Sequence, residues 1–568
     1  MRLSSLVSAL LLVTTAAAQT VYVDANLATG ANDGTSWADA YQGIDGLQAA
    51  LNASAPGQSI FVAEGVYRPT ANGNRALSFR LRTGVAVYGG FVGDESSPDE
   101  RPALGSAQSV LSADLNGDDL PNMMNRGDNS YHVVRTQSTD ATAVLDGFTL
   151  RGGNANGGGN SNDRGGGILC LNGVTPTIRR CFFTDNRCTF GGGAGYINGA
   201  GPTFVECDFV GNVGGSFGGA FDIATGGAVA FDRCTFLDNS ASRAGALEIF
   251  ATASVDVANS VFIGNVATGG QGGGAFWIGS GGSSTVRGCT IVANRANAQA
   301  AGGIRVQGAT PSIVNTILWD NEGPGGAQGP NNQVTPGSNV RYSIVEGGFA
   351  GTGNLAADPQ FVDVVFGDLR LTATSPAIDA GNNAAVSAGL AADVDGGRRR
   401  VDDPAVADTG AGAAPLVDIG AYERTGFIGQ VDCVANSNST GARGRIDARG
   451  SLDAAQNDVT LVASDLPLNA FGFFLASRSR GFVANPGGSA GNLCLGGAIG
   501  RYVGPGQIQN TGTSGGFELV IDLTAIPQPT GPVAAQAGES WSFQAWHRDA
   551  VIGVPTSNFT DGVRLTLE

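Results

Sequence analysis

The sequence predicts an all-β protein: a solenoid of parallel strands, capped by one helix before it and followed by a β-sandwich. Three observations carry that prediction. One short pattern ending in Asn returns six times, as CFFTDN (181–186), CDFVGN (207–212), CTFLDN (234–239), SVFIGN (260–265), CTIVAN (289–294) and TILWDN (316–321). A second pattern precedes each copy: GGILCL, GGAGYI, GGAFDI, AGALEI, GGAFWI and GGIRVQ, with the second Gly at 167, 193, 219, 245, 274 and 303. The runs between turns are short alternations of Phe, Ile, Val and Leu cut by Gly, Asn and Asp, with no 3.6-residue period. Asn186, Asn212, Asn239, Asn265, Asn294 and Asn321 lie 26, 27, 26, 29 and 27 residues apart. Two patterns holding one period across six copies are the signature of stacked repeats.

Stacking one coil per repeat at about 4.8 Å brings like residues into register. Phe183, Phe209, Phe236, Phe262, Ile291 and Leu318 then form one internal column. The Asn residues form a ladder whose amides bond along the stack and satisfy turn groups. Paired glycines suit a wall that bends too tightly for a side chain. These repeats resemble the right-handed parallel β-helix of the pectate-lyase-like superfamily, and their GGA(I/F) and FxxN halves resemble those of bacterial polymorphic outer-membrane proteins. The resemblance implies fold, because these motifs are structural.

In chain order, residues 1–18 read as a secretory signal, with Arg2, an apolar run from Leu6 to Val13 and Ala16-Ala17-Ala18 as a small-residue cleavage site. The solenoid is expected over 19–426. Its cap is a helix with Thr35 or Ser36 as N-cap, Asp39 in the first turn, and Ala40, Ile44, Leu47 and Leu51 as its apolar face. Irregular early coils follow at SIFVAEGVY, LSFRLRTGVAVYGGF, SVLSADL, YHVVRT and AVLDGFTLRGGN, before the regular repeats of 165–321. Residues 322–340 read as a Gly/Pro/Asn loop. DPQFVDVVFGDLRLTATSPAIDAGN, ADVDGGRRR and VDIGAYE, within 358–423, resemble the choice-of-anchor Q segment that closes surface β-helix proteins. That likeness implies an exported architecture and no particular reaction. A linker near Arg424–Gln430 leads to 431–568, whose longer strands and turn spacing read as a sandwich and a possible attachment or sorting module. This region contains no series of alternating strands of about ten residues, as an outer-membrane barrel needs. Here the chain departs from the polymorphic outer-membrane proteins.

Composition narrows the function classes. Net charge is −17, and all 32 basic residues are Arg. An acidic surface without Lys argues against nucleic acid and anionic membranes as partners, and it removes mechanisms that need a lysine. With only His132 and His547, one in each half of the chain, the sequence offers little for a Ser-His-Asp triad and too few histidines for a multi-histidine zinc site. No segment after the signal is apolar for 18 residues, so no transmembrane span is expected. Of eight cysteines, six lie in the repeats and read as a buried, reduced set; Cys433 and Cys494 stand alone in the C-terminal region and are expected to pair.

Chemistry is sought on outward columns. With the Ile column of the GGxxxI strand pointing inward (Leu171, Ile197, Ile223, Ile249, Ile278), the alternate column points out as Cys170, Tyr196, Asp222, Glu248 and Trp277. Tyr196, Asp222, Glu248 and Trp277 then form an external stripe: two carboxylates one coil apart, at about the 5 Å of a retaining glycosidase pair, flanked by aromatics that stack on sugars. The same carboxylates could hold one Ca²⁺, or be a solvated wall. Motifs of the enzymes with this fold are missing: there is no Gly-His-Gly and no RxPxxR. Arg179, Arg180, Arg233, Arg243 and Arg287 are the arginines available as a lyase base. Asp114, Asn116 and Asp118 in DLNGDD are spaced like the start of a calcium loop, without the later Gly and Glu of an EF-hand; an Asx-turn is the alternative. Asp393 and Asp395 repeat the hint more weakly. The sequence thus favours an exported surface or secreted adhesion or scaffold protein, with cell-surface proteins or extracellular polysaccharide as partners. A polysaccharide-degrading β-helix, acting as lyase or glycoside hydrolase, is the alternative.

Overall fold

The computed structural model describes residues 20–568 apart from 103–104, 137, 160, 251, 282, 298–300, 325–328, 365–366, 387, 391, 404–405, 425–426, 441, 513 and 552–553. The expected signal peptide lies outside the described residues. The chain divides after Arg424 into two compact units.

The first unit is a parallel β-helix. Three long parallel sheets of 12, 10 and 8 strands run along it, and each coil of the regular repeats contributes one short strand to each. The repeat pattern explains the register. Phe183 pairs with Phe209, Phe209 with Phe236, Phe236 with Phe262, Phe262 with Ile291 and Ile291 with Leu318, all in the second sheet. All six are fully buried in one continuous core. Phe236 stacks on Phe209 and Phe262 with ring centroids 4.8 and 4.4 Å away.

The Asn ladder forms as the spacing requires. Asn212 Nδ2 donates to Asn239 Oδ1 (3.0 Å), Asn239 Nδ2 to Asn265 Oδ1 (3.0 Å), and Asn265 Nδ2 to Asn294 Oδ1 (2.8 Å). Each side chain also donates to a carbonyl of the preceding coil, as Asn239 does to Phe209 O at 2.8 Å. Past Asn321 the ladder continues on a different residue: Asn321 Nδ2 donates to Gln333 Oε1 at 2.7 Å. Gln333 ends a short helix, Pro330–Gln333, inside the segment expected to be loop.

The capping helix is shorter than the sequence suggested, Gly46–Ala53. Leu47, Ala50 and Leu51 pack into the solenoid core, as a cap should. Ser36 and Asp39 instead close a turn, with Asp39 N donating to Ser36 Oγ at 3.1 Å. The correction has a local cause: a Ser three residues before an Asp caps an isolated turn as readily as a helix.

The segment resembling choice-of-anchor Q packs along the flank of the last coils. Leu369, Leu371, Ile378, Ile419 and Ala421 cover Val261, Val292, Ile317 and Ile344 on the outer face of the second sheet. Earlier coils carry Asp208 and Thr235 where the covered ones carry Val261 and Ile317. Asn315 fixes the segment, accepting from Asn382 N (2.7 Å) and donating to Asn382 O (3.0 Å).

The second unit has a four-stranded and a six-stranded antiparallel sheet around one core containing Ile446, Leu461, Phe474, Trp541, Phe543 and Leu565. Cys433 and Cys494 form a disulfide, with Cα atoms 6.1 Å apart. The six repeat cysteines are buried and free. Among the described residues no helix is long and apolar enough to cross a membrane.

Candidate functional site

The third sheet carries the expected column. Strands Gly195–Asn198, Phe221–Thr225, Leu247–Ile249 and Phe276–Ile278 place Tyr196, Asp222, Glu248 and Trp277 side by side on successive coils. The next coil adds Arg305, and the preceding one adds Leu169, not Cys170. Cys170 pairs with Ile197 and points into the core; the expected inward Leu171 pairs with Asn198. The cause is a third glycine: Gly167 stands where the next coil has Ala194, so counting from Gly166-Gly167 slips by one and exchanges the faces.

The stripe is not an open surface. Tyr196, Asp222, Glu248 and Trp277 are 4, 4, 1 and 3% exposed. They point away from the solenoid core but lie under a second layer supplied by the turns before each strand. The Arg164 guanidinium sits over the Phe190 and Tyr196 rings, at 4.1 and 4.9 Å, and donates to Tyr196 Oη at 2.9 Å. Phe190 meets Phe217 edge-on at 4.8 Å. Arg243 lies 4.3 Å from the Phe217 centroid and 4.0 Å from that of Trp277. It donates through Nε to Glu248 Oε1 at 2.9 Å. Phe250 stacks on Trp277. Gly191 borders this layer where only a glycine fits, since a Cβ there would lie 2.1 Å from Asp222 Oδ2.

Burial dominates the acid chemistry of the pair. It pushes the Asp222 carboxyl up to about 6, against the pull of the Arg164 and Arg243 charges. It pushes Glu248 up to about 7, where the Arg243 hydrogen bond opposes and the Asp222 charge adds to the rise. Glu248 Oε2 and Trp277 Nε1 are buried with no hydrogen-bond partner among the described residues. This is a protonatable pair on neighbouring coils, held under arginines and aromatic rings.

The arginines considered as a lyase base are all engaged. Arg179 and Arg180 both reach the buried Asp146 at 2.6 Å, where Arg101 also arrives at 3.3 Å. Arg233 pairs with Glu206 at 2.6 Å, Arg243 with Glu248, and Arg287 with Asp256. His132 is buried, with Nδ1 2.8 Å from Gly165 O, and desolvation lowers its pKa to about 4. It is a neutral structural residue.

The DLNGDD loop is folded as an Asx-turn. Asp114 Oδ1 accepts from Gly117 N (2.6 Å) and Asp118 N (3.2 Å), and Oδ2 accepts from Asp119 N (3.2 Å). Carboxylate oxygens of Asp114, Asp118 and Asp128 nonetheless lie within 4.8 Å of one another. Asn116 meets Asp128 through its backbone, N to Oδ2 at 2.9 Å. Asp128 was not found from sequence because it follows the loop by nine residues. Asp393 is a buried strut, accepting from Gly397 N (2.6 Å) and Glu423 N (3.0 Å).

The family described as right handed beta helix region matches residues 146–291, the stretch that holds the stripe and most of the ladder. The fold is a right-handed parallel β-helix. No curated protein matches this chain.

Proposed function

We propose that this is an exported protein of the cell surface or extracellular space, and that its β-helix is a non-catalytic rod for adhesion or display. One observation carries the reading. The column with glycosidase-like composition, Tyr196 to Trp277, is closed under Arg164, Phe190, Phe217 and Arg243, with Glu248 paired to Arg243 and the Tyr196 hydroxyl bonded to Arg164. A sugar ring cannot stack on an aromatic face already covered by a guanidinium. The same holds for the candidate lyase arginines, each engaged by a carboxylate. The disulfide of the second unit fits an oxidising compartment, and that unit serves as the attachment or sorting module. Retention tests this role: the full chain and a chain ending at Arg424 are compared in cell-envelope and medium fractions. Equal retention of both removes the second unit as the anchor.

A second reading rests on the acid pair. A carboxyl held near 7 beside one near 6 is the pattern that lets one group act as general acid and its neighbour as the ionised partner. In this reading the Phe190–Phe217–Arg243 layer opens to admit an extracellular polysaccharide. Glu248→Gln distinguishes the two: it abolishes turnover of a polysaccharide substrate if the pair is catalytic, and changes only stability if the pair is structural.

A further inference from the structure

The end segment holds a second acidic cluster that sequence spacing does not reveal. Carboxylate oxygens of Asp379, Asp402 and Asp408 all lie within 4.8 Å of one another. Asp402 and Asp408 are exposed, whereas Asp379 is fully buried. One Asp379 oxygen is occupied: Oδ2 accepts from Asp403 N at 3.3 Å. The other, Oδ1, is buried with no hydrogen-bond partner among the described residues. A buried carboxylate oxygen left bare is costly unless a proton or a cation meets it.

The backbone around Asp379 is built to hold this arrangement. Asp379 adopts a left-handed conformation (φ 50°), and its N–H donates to Asp418 Oδ1 at 2.8 Å. Thr409 N and Gly410 N both donate to Asp379 O at 3.0 Å, and Ala411 N donates to Gly381 O at 2.8 Å. Gly410 sits so close that a Cβ there would meet Gly381 O at 2.0 Å. Asp402 and Asp408 are thus brought to Asp379 from either side by bonds to Asp379 itself. The nearby Arg424 guanidinium is taken up by Asp403. The charges of Asp402, Asp408 and Asp403 add to burial in raising the Asp379 pKa to about 6.

We propose that Asp379, Asp402 and Asp408 form a calcium site that ties the segment around 402–408 to the turn at Asp379. Ca²⁺ takes hard oxygen ligands at about 2.3–2.6 Å, so ligands on opposite sides of the ion stand about 4.6–5.2 Å apart. Oxygens within 4.8 Å fit that sphere. Three carboxylates, two of them at the surface, leave the remaining positions to water. This is the chemistry of the weak sites of extracellular modules, with Kd of about 10⁻⁴–10⁻³ M.

The test is calcium titration of the full chain at pH 7.5 by calorimetry, with thermal unfolding measured in 10 mM Ca²⁺ and in chelator. Asp402→Asn/Asp408→Asn is the informative variant, because both side chains are exposed and the substitution keeps their size. Asp118→Asn/Asp128→Asn serves as the comparison, since it alters only the Asp114 cluster. The expected result is a calcium-dependent rise in Tm that survives Asp118→Asn/Asp128→Asn. In Asp402→Asn/Asp408→Asn the rise disappears and the affinity of one site falls at least tenfold. Absence of heat and of any Tm change up to 10 mM Ca²⁺ would overturn the proposal and leave a shared proton at Asp379. A Tm rise that persists in Asp402→Asn/Asp408→Asn would overturn it equally.

Discussion

Replacing Asn239 by Ala removes one rung from the middle of the ladder, and the structure sets what is lost. The side chain takes part in four hydrogen bonds. Its Oδ1 accepts from Asn212 N and Asn212 Nδ2, and its Nδ2 donates to Phe209 O and Asn265 Oδ1, all at 2.8–3.0 Å. Asn212 Nδ2 keeps its bonds to Phe183 O and Val210 O, and Asn265 Oδ1 still accepts from Asn239 N. The Asn212 backbone N–H is the group left bare, in a fully buried site, at about 1–3 kcal/mol. With the three weakened contacts the total is about 3–5 kcal/mol. Asn239→Asp keeps both acceptor roles but turns its second oxygen toward Phe209 O and Asn265 Oδ1, as a buried charge. It should cost more than Ala although it is the closer isostere. Guanidinium unfolding followed by circular dichroism gives the two costs, and amide exchange at Asn212 localises the first. A cost below about 1 kcal/mol for Ala, or an Asp variant as stable as the Ala variant, would refute the ladder as the source of stability.

Other consequences can be checked independently. Phe236→Ala empties a site between two stacked rings and should cost about 3–5 kcal/mol by the same unfolding assay. The native state holds a proton on Glu248 up to a pH of about 7, which the unfolded chain releases near its ordinary 4.5. That group therefore favours folding most below pH 4.5 and progressively less as pH rises to 7, by about 3 kcal/mol in all. Glu248→Gln removes this slope, so its stability relative to the parent should rise between pH 5 and 8; a difference independent of pH would contradict the raised pKa. Reducing Cys433–Cys494, which are separated by 61 residues, should destabilise the second unit by about 4 kcal/mol on the loop-entropy view, visible as an earlier transition in reductant.

The repeat elements were legible because each coil writes its inward residues at one period. Phe183 to Leu318 and Asn186 to Asn321 sit in the columns their spacing gave. The strand faces of the third sheet were legible in the GGA copies and slipped in GGILCL, where Gly167 takes the place of the Ala and the glycine pair is counted one residue late. Burial of the stripe was not legible. Alternation reports which side of a strand a residue occupies, not which neighbouring turn lies over it. A signal did exist: Phe190 in CTFGG and Phe217 in GSFGG place a ring just before the glycines of adjacent coils. Likewise, the change from Asp208 and Thr235 to Val261 and Ile317 marks where the end segment covers the second sheet. The Asp379 cluster gathers residues up to 29 positions apart through backbone bonds, which no local motif encodes.

The claim that the Asp222–Glu248 stripe is a closed part of the wall meets its most direct test in turnover. The full chain and its Glu248→Gln variant are incubated with acidic and neutral polysaccharides, with calcium and with chelator, while new reducing ends and unsaturated products are followed. The account predicts no products from either protein. Products from the parent that vanish with Glu248→Gln would contradict it and make the stripe an active site.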